Sequence, residues 1–122
     1  MWEGLESRKF PRVETNCLIL IERMDVTLRK RITTKTQNIG IGGICVVLEE
    51  ALPKFSKIRI QLDLGDGVRP IVCDARVVWM VESRDLTTEK ITHDTGIEFL
   101  NLSRNSEDRI KHIIKAKLPT SN

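Results

Sequence analysis

Tyrosine is absent, and the only aromatic residues are Trp2, Phe10, Phe55, Trp79 and Phe99. They are scattered, so no row of stacking platforms for single-stranded nucleic acid is present. Histidine is confined to His93 and His112, and no Cys-x-x-Cys or Cys/His cluster has metal-ligand spacing. The cysteines, Cys17, Cys45 and Cys73, lie far apart inside apolar, strand-like runs. That placement suits buried small hydrophobes. No G-x-S-x-G and no paired-carboxylate pattern occurs, and Asp63, Asp66 and Asp74 sit near a hairpin where turn and solvated-face roles account for them. Catalysis is therefore not expected. No long apolar run follows Met1, so neither a signal peptide nor a membrane span is expected, and the cytoplasm is the default location. A large excess of one charge is missing too: the net charge is +3. That suits an anionic small molecule better than a long stretch of nucleic acid.

What is present reads as one domain, since 122 residues are enough for a core without staples. Glu14 to Glu22 carries Cys17-Leu18-Ile19-Leu20-Ile21, apolar on both faces, as in a strand covered on both sides. Val26 to Gln37 alternates, with Val26, Leu28 and Ile32 facing one way and Arg29, Arg31, Thr33 and Lys35 the other. Ile44 to Leu48 is a third strand. Lys57 to Leu64 has the cleanest period of two, with Ile58, Ile60, Leu62 and Leu64 on one face. Gly65-Asp66-Gly67 supplies hairpin chemistry. Ile71 to Val81 places Ile71, Cys73, Ala75, Val77 and Trp79 in register, and Glu82 to Thr88 is a polar, mobile tip. Ile91 to Leu100 is the last strand, with Gly96 marking a bulge or close approach.

The period changes after Leu102. Ile110, Ile113, Ile114 and Leu118 form one stripe of an amphipathic helix, capped by Ser103 or Ser106 and closed by Pro119. Six antiparallel strands followed by a helix close into a barrel or pack as a sandwich, with the helix over an open end or face.

Two stretches carry chemistry. Asn38-Ile39-Gly40-Ile41-Gly42-Gly43 concentrates glycine between two strands, which fits a turn with φ > 0 or a close approach to exposed main chain. Arg8-Lys9-Phe10-Pro11-Arg12 puts two guanidinium forks on a segment that proline keeps extended. Such forks fit a phosphate oxygen pair or the O6/N7 edge of guanine, and they stack on purine faces. Taken by spacing alone, a solvated basic arm is the better account of the arginines.

In combination, Arg8-x-x-x-Arg12 followed by Asn38-x-Gly40-x-x-Gly43 resembles the two-part signature of PilZ domains, R-x-x-x-R and [D/N]-x-S-x-x-G. Ala75-Arg76-Val77-Val78-Trp79 and Gly96-Ile97-Glu98-Phe99 are similar to the family's later strands, so the resemblance covers roughly Arg8 to Leu118. It implies a mainly β fold, a six-stranded antiparallel split barrel with a C-terminal helix. The divisions are then an arm over 1–13, the barrel and helix over 14–118 and a tail over 119–122. It also implies a receptor for cyclic di-GMP that controls motility, biofilm or polysaccharide output through a protein partner, as monomer or homodimer, with no cofactor or metal. By position, Arg8 and Arg12 would hold guanine edges and phosphates. Asn38, Gly40 and Gly43 would take a guanine from the barrel side. Lys9, Ile41, Gly42 and Trp79 would be secondary contacts, although a strand tryptophan among apolar neighbours also suits the core. The family's serine is Gly40 here, a lost hydrogen bond on the order of 1 kcal/mol, or roughly fivefold in affinity. The alternative is a degenerate PilZ module that binds protein and no nucleotide; retention of both arginines and Asn38 opposes it.

Overall fold

A computed structural model describes residues 12–24 and 30–118. The residues Arg8 and Lys9, the start of the second strand at 26–29, and the tail 119–122 lie outside the described residues. The strands are β1 (Val13–Glu14), β2 (Leu18–Arg23), β3 (Arg31–Ile39), β4 (Gly43–Leu48), β5 (Lys57–Asp63), β6 (Ile71–Arg84) and β7 (Ile91–Phe99), followed by helix α1 (Arg104–Lys117). All pairings are antiparallel, running β3-β2-β5-β6-β7-β4, and β4 returns to β3 to close a six-stranded barrel. The mainly β barrel with one C-terminal helix is the expected architecture, and closure decides between barrel and sandwich.

The inward residues follow from alternation. Ile58, Ile60 and Leu62 on β5, and Ile71, Cys73, Ala75 and Val77 on β6, are all buried. They meet Ile19, Ile21, Ile39, Ile44, Val46 and Ile97 in one cluster. Such runs of β-branched residues pack well on a pleated, half-buried surface.

The first expected strand is two. Val13 and Glu14 pair with Ile39 and Asn38, while β2 pairs with β3 from Lys35 downward. Because β4 already occupies the other edge of Asn38 and Ile39, β1 continues the line of β2 along the same edge of β3. The break at 15–17 is filled by Thr36, whose hydroxyl donates to the Thr15 carbonyl (2.6 Å) and accepts from the Cys17 amide (3.0 Å). Nor is β2 covered on both sides. Ile19 and Ile21 face the core, but Leu18 is 51% exposed on the outer face.

Helix α1 begins at Ser103, whose hydroxyl accepts from the Ser106 amide, and buries Ile110 and Ile114 in the barrel cluster. Leu118, assigned to the apolar stripe from spacing, is exposed and caps the helix through its amide to the Ile114 carbonyl (3.0 Å). Arg109 clamps the helix to the β5–β6 connection. Its Nε and Nη2 donate to the two Asp66 carboxylate oxygens (3.0 and 2.9 Å), and Nη1 donates to the Arg69 carbonyl (2.9 Å). This fork holds the Asp66 carboxyl below its ordinary range. Gly65 and Gly67 there have φ of +73° and +78°, as the hairpin chemistry requires. At the β6–β7 tip, Asp85 Oδ1 accepts from the Thr87 and Thr88 amides (2.8 and 3.1 Å), so the tip is shorter than expected and internally bonded.

Candidate functional site

Two β-bulges decide which residues reach the outer face of the sheet. On β3, Thr36 faces Val46 and Asn38 faces Cys45, so Gln37 is an extra residue. On β6, Val77 faces Ile97 and Trp79 faces Gly96, so Val78 is extra. An extra residue reverses the sidedness of everything beyond it. Residues up to Thr36 and Val77 keep their inward set, but Asn38 and Trp79 are turned to the outer surface. Trp79 therefore does not share the face of Ile71, Cys73, Ala75 and Val77, as strict alternation would have it.

Directly paired residues share a face. The registers Asn38↔Cys45, Cys45↔Gly96 and Trp79↔Gly96 thus line up Asn38, Cys45, Gly96 and Trp79 in a single outer row across β3, β4, β7 and β6. Gly96 is a close approach, as its sequence position suggested. A Cβ there would strike the indole Nε1 and Cε2 of Trp79, so the ring lies against bare backbone. Cys45 is buried beneath the row, and burial raises its thiol pKa. Asp94 raises it further and Arg12 lowers it, which places both charges near this strand.

Arg12 arrives through β1. Pairing of Val13 with Ile39 and Glu14 with Asn38 carries the preceding residue to the end of the row. There Arg12 Nη1 donates to Asn38 Oδ1 at 2.8 Å. Arg12 and Asn38, 26 positions apart in the chain, are thereby brought into direct contact.

The glycine turn meets one of its two expectations, the close approach, and not the other. Neither Gly40, Gly42 nor Gly43 has positive φ. The Gly40 amide donates to the Gly43 carbonyl (2.9 Å), and the Gly42 carbonyl accepts from the Phe99 amide (3.0 Å), so these groups are tied within the fold. At Gly43 a Cβ would run into the Ile97 carbonyl oxygen, and that close passage of β4 past β7 explains the glycine. The Ile41 side chain packs against the core cluster, and Gly42 is exposed. Of the expected site residues among those described, Arg12, Asn38 and Trp79 share the outer face, while Gly40, Ile41 and Gly43 shape the turn. Cys45 was missed as part of the row, because its apolar neighbours on β4 hide which face it takes.

Comparison with known proteins bears on the family and the fold. A sequence model of the PilZ domain matches residues 6–116. Among curated proteins none matches. The fold is similar to the motility inhibitor MotI/DgrA of Bacillus subtilis (TM-score 0.70, 18% identity, 95% of this chain and 52% of that one). It is similar to the PilZ domain of YcgR from Escherichia coli, solved with c-di-GMP (TM-score 0.68, 20% identity, 90% of each chain). It also resembles MrkH of K. pneumonia in its apo state (TM-score 0.72, 12% identity, 88% of this chain and 47% of that one). The chain spans about half the length of MotI and MrkH.

Proposed function

The chain belongs to the PilZ domain family, and from that premise we propose that it is a cyclic di-GMP receptor that relays ligand binding to a protein partner. The observation that carries the reading is the Arg12–Asn38 hydrogen bond. It joins the two halves of the signature at one end of an outer row that Trp79 closes at the other. A guanidinium offers donors to phosphate oxygens and to the guanine O6/N7 edge, and it stacks on a purine face. Asn38 offers both a donor and an acceptor to a guanine edge. The indole, lying on Gly96, supplies an apolar plane for a base.

In this reading Arg8 and Lys9 complete the phosphate contacts from the arm, and Gly40, Ile41, Gly42 and Gly43 give the turn its shape beside the base. Ligand replaces the Asn38 partner of Arg12 and gathers residues 1–13 onto the outer face. The partner reads that change, with motility or biofilm polysaccharide control as the output class. Location in the cytoplasm, where the ligand is made, belongs to the same proposal.

The test is isothermal titration with cyclic di-GMP, with Arg8→Ala, Arg12→Ala and Asn38→Ala in parallel and GMP as control. Micromolar or tighter binding, absent for GMP and lost in both arginine variants, is expected. Binding that survives Arg12→Ala, or no heat at high ligand concentration, overturns the reading. Hydrogen exchange reports the relay: amides of the arm gain protection on adding ligand, and unchanged exchange refutes that step.

A further inference from the structure

The loop between β4 and β5 displays an exposed aromatic residue. Pro53 to Ser56 form a tight turn in which the Ser56 amide donates to the Pro53 carbonyl (3.1 Å). Its third residue, Phe55, has φ of +70°. That position asks for glycine or asparagine, and a bulky residue there is a true backbone outlier. Burial could justify the strain, but Phe55 is 65% exposed. Lys54 Nζ lies 5.1 Å from the centroid of its ring.

The turn is held in place. Leu52 is fully buried. The Phe55 amide donates to the Val77 carbonyl (2.7 Å), and the Val77 amide donates to the Ser56 carbonyl (3.0 Å). An exposed aromatic is thus displayed on an anchored loop, beside the residue that precedes the Val78 bulge. Around it the outer face of β5 and β6 carries charges of both signs. Lys57 stands opposite Arg76, and Arg59 opposite Asp74. Asp74 takes contacts from both Lys57 (3.9 Å) and Arg59 (3.4 Å), and Glu98 faces Arg76 from β7. Next to the loop, Lys54, Lys57, Arg59 and Arg76 stand with Asp74 and Glu98, so cations outnumber carboxylates there. A strained, exposed aromatic within a charged rim is the composition of an interface anchor. Interspersed carboxylates fit a protein with its own pattern of charges better than a uniformly anionic lipid surface.

We propose that Phe55, with Lys54, Lys57 and Arg76, is a docking site for an acidic protein segment in which carboxylates flank a large apolar side chain. This deepens the partner half of the receptor reading and rests on it only for the relay. Docking itself is measured without nucleotide, so failure here and failure to bind cyclic di-GMP are separate results.

The experiment selects a displayed library of random peptides on the full chain, then measures the enriched peptides by fluorescence anisotropy against variants. Expected are peptides of net negative charge with a large apolar residue, weakened about tenfold or more by Phe55→Gly and by Lys57→Glu with Arg76→Glu. Phe55→Gly is expected to melt at the same or a higher temperature, because glycine relieves the turn. Enriched peptides without acidic bias, or none sensitive to Phe55→Gly, overturn the proposal. A lowered melting temperature in Phe55→Gly also overturns it, by making Phe55 structural. So does Phe55-dependent binding to phosphatidylglycerol vesicles in place of acidic peptides, which would assign the face to lipid.

Discussion

Gly96→Ala separates the outer-row reading from a merely structural role for Trp79. The new methyl would occupy the space of indole atoms Nε1, Cε2 and Cδ1. Ordinary carbon contact needs about 3.5–4.0 Å, so the ring must lift from the sheet by about 1.5 Å. Because the ring lies on the outer surface, it can move, and the fold survives. Overpacking costs about 1–3 kcal/mol and the lost glycine freedom returns about 0.4–1 kcal/mol, leaving a net destabilisation of about 1 kcal/mol. That corresponds to a drop of about 4 °C in melting temperature for a domain of this size. The effect on ligand is larger in relative terms. Base–aromatic stacking is worth about 1–3 kcal/mol, so a misplaced indole weakens cyclic di-GMP binding about 5- to 150-fold. Titration of Gly96→Ala, Trp79→Ala and the double variant closes a cycle. If the methyl acts through the ring, Gly96→Ala changes nothing further once Trp79 is alanine. Additive losses, or a Gly96→Ala protein that binds like the parent while Trp79→Ala does not, would refute the argument.

Three further outcomes follow from other contacts. Gly43→Ala drives a Cβ into the Ile97 carbonyl, backbone that cannot swing aside, so it should destabilise by about 2–4 kcal/mol and lower the melting temperature by about 10 °C. A change within 1 °C would show the sheet yields there. Arg109→Ala removes the fork on Asp66 and should cost about 1–2 kcal/mol near neutral pH. Asp66 has its carboxyl pKa lowered from 3.8 by that arginine, so the contribution is fully present above 3.8 and is lost as pH falls through the lower folded value. Urea titrations should therefore show the parent and Arg109→Ala converging in acid; a gap that stays constant to the lowest pH would reassign the effect to packing. Gly40→Ser restores the family hydroxyl at a residue without positive φ, and it should tighten cyclic di-GMP binding about fivefold. Unchanged affinity in titration would mean that the hydroxyl does not reach the ligand in this chain.

The barrel was legible because its strands are short, alternate cleanly and are punctuated by glycine and proline. Ile58, Ile60 and Leu62 could be placed inward from period alone, and the Ile110–Ile114 face from a period of 3.6. The signature told which residues to watch, and Arg12 with Asn38 do meet. What composition could not show is where the period slips. Nothing about Gln37 or Val78 marks an extra residue, since a bulge depends on how two strands pair. Trp79 was accordingly placed on the core face by parity, although Gly96 pointed to some close approach. Of the two reasons to expect glycine in the turn, positive φ does not occur and close approach does, at Gly43 beneath the passing Ile97 carbonyl, while the Gly40 amide is bonded within the fold.

The two bulges explain why core and site do not compete for the same residues. In a closed barrel every strand position is either inside or outside, and a strand long enough to fill the interior fixes the side of each later residue. Val77 must face in, opposite Ile97, which is itself buried. Were Val78 paired in regular alternation, Trp79 would also face in, where the barrel already holds Val46 and Thr95 at full burial. Thr36 likewise faces in, and were Gln37 paired in regular alternation so would Asn38, leaving an amide to be satisfied in the core. One slip on β3 and one on β6 keep Asn38 and Trp79 out of the barrel interior, so a polar end and an aromatic end emerge on the same row. The two straight strands between them need only a small residue under the indole, and Gly96 supplies it.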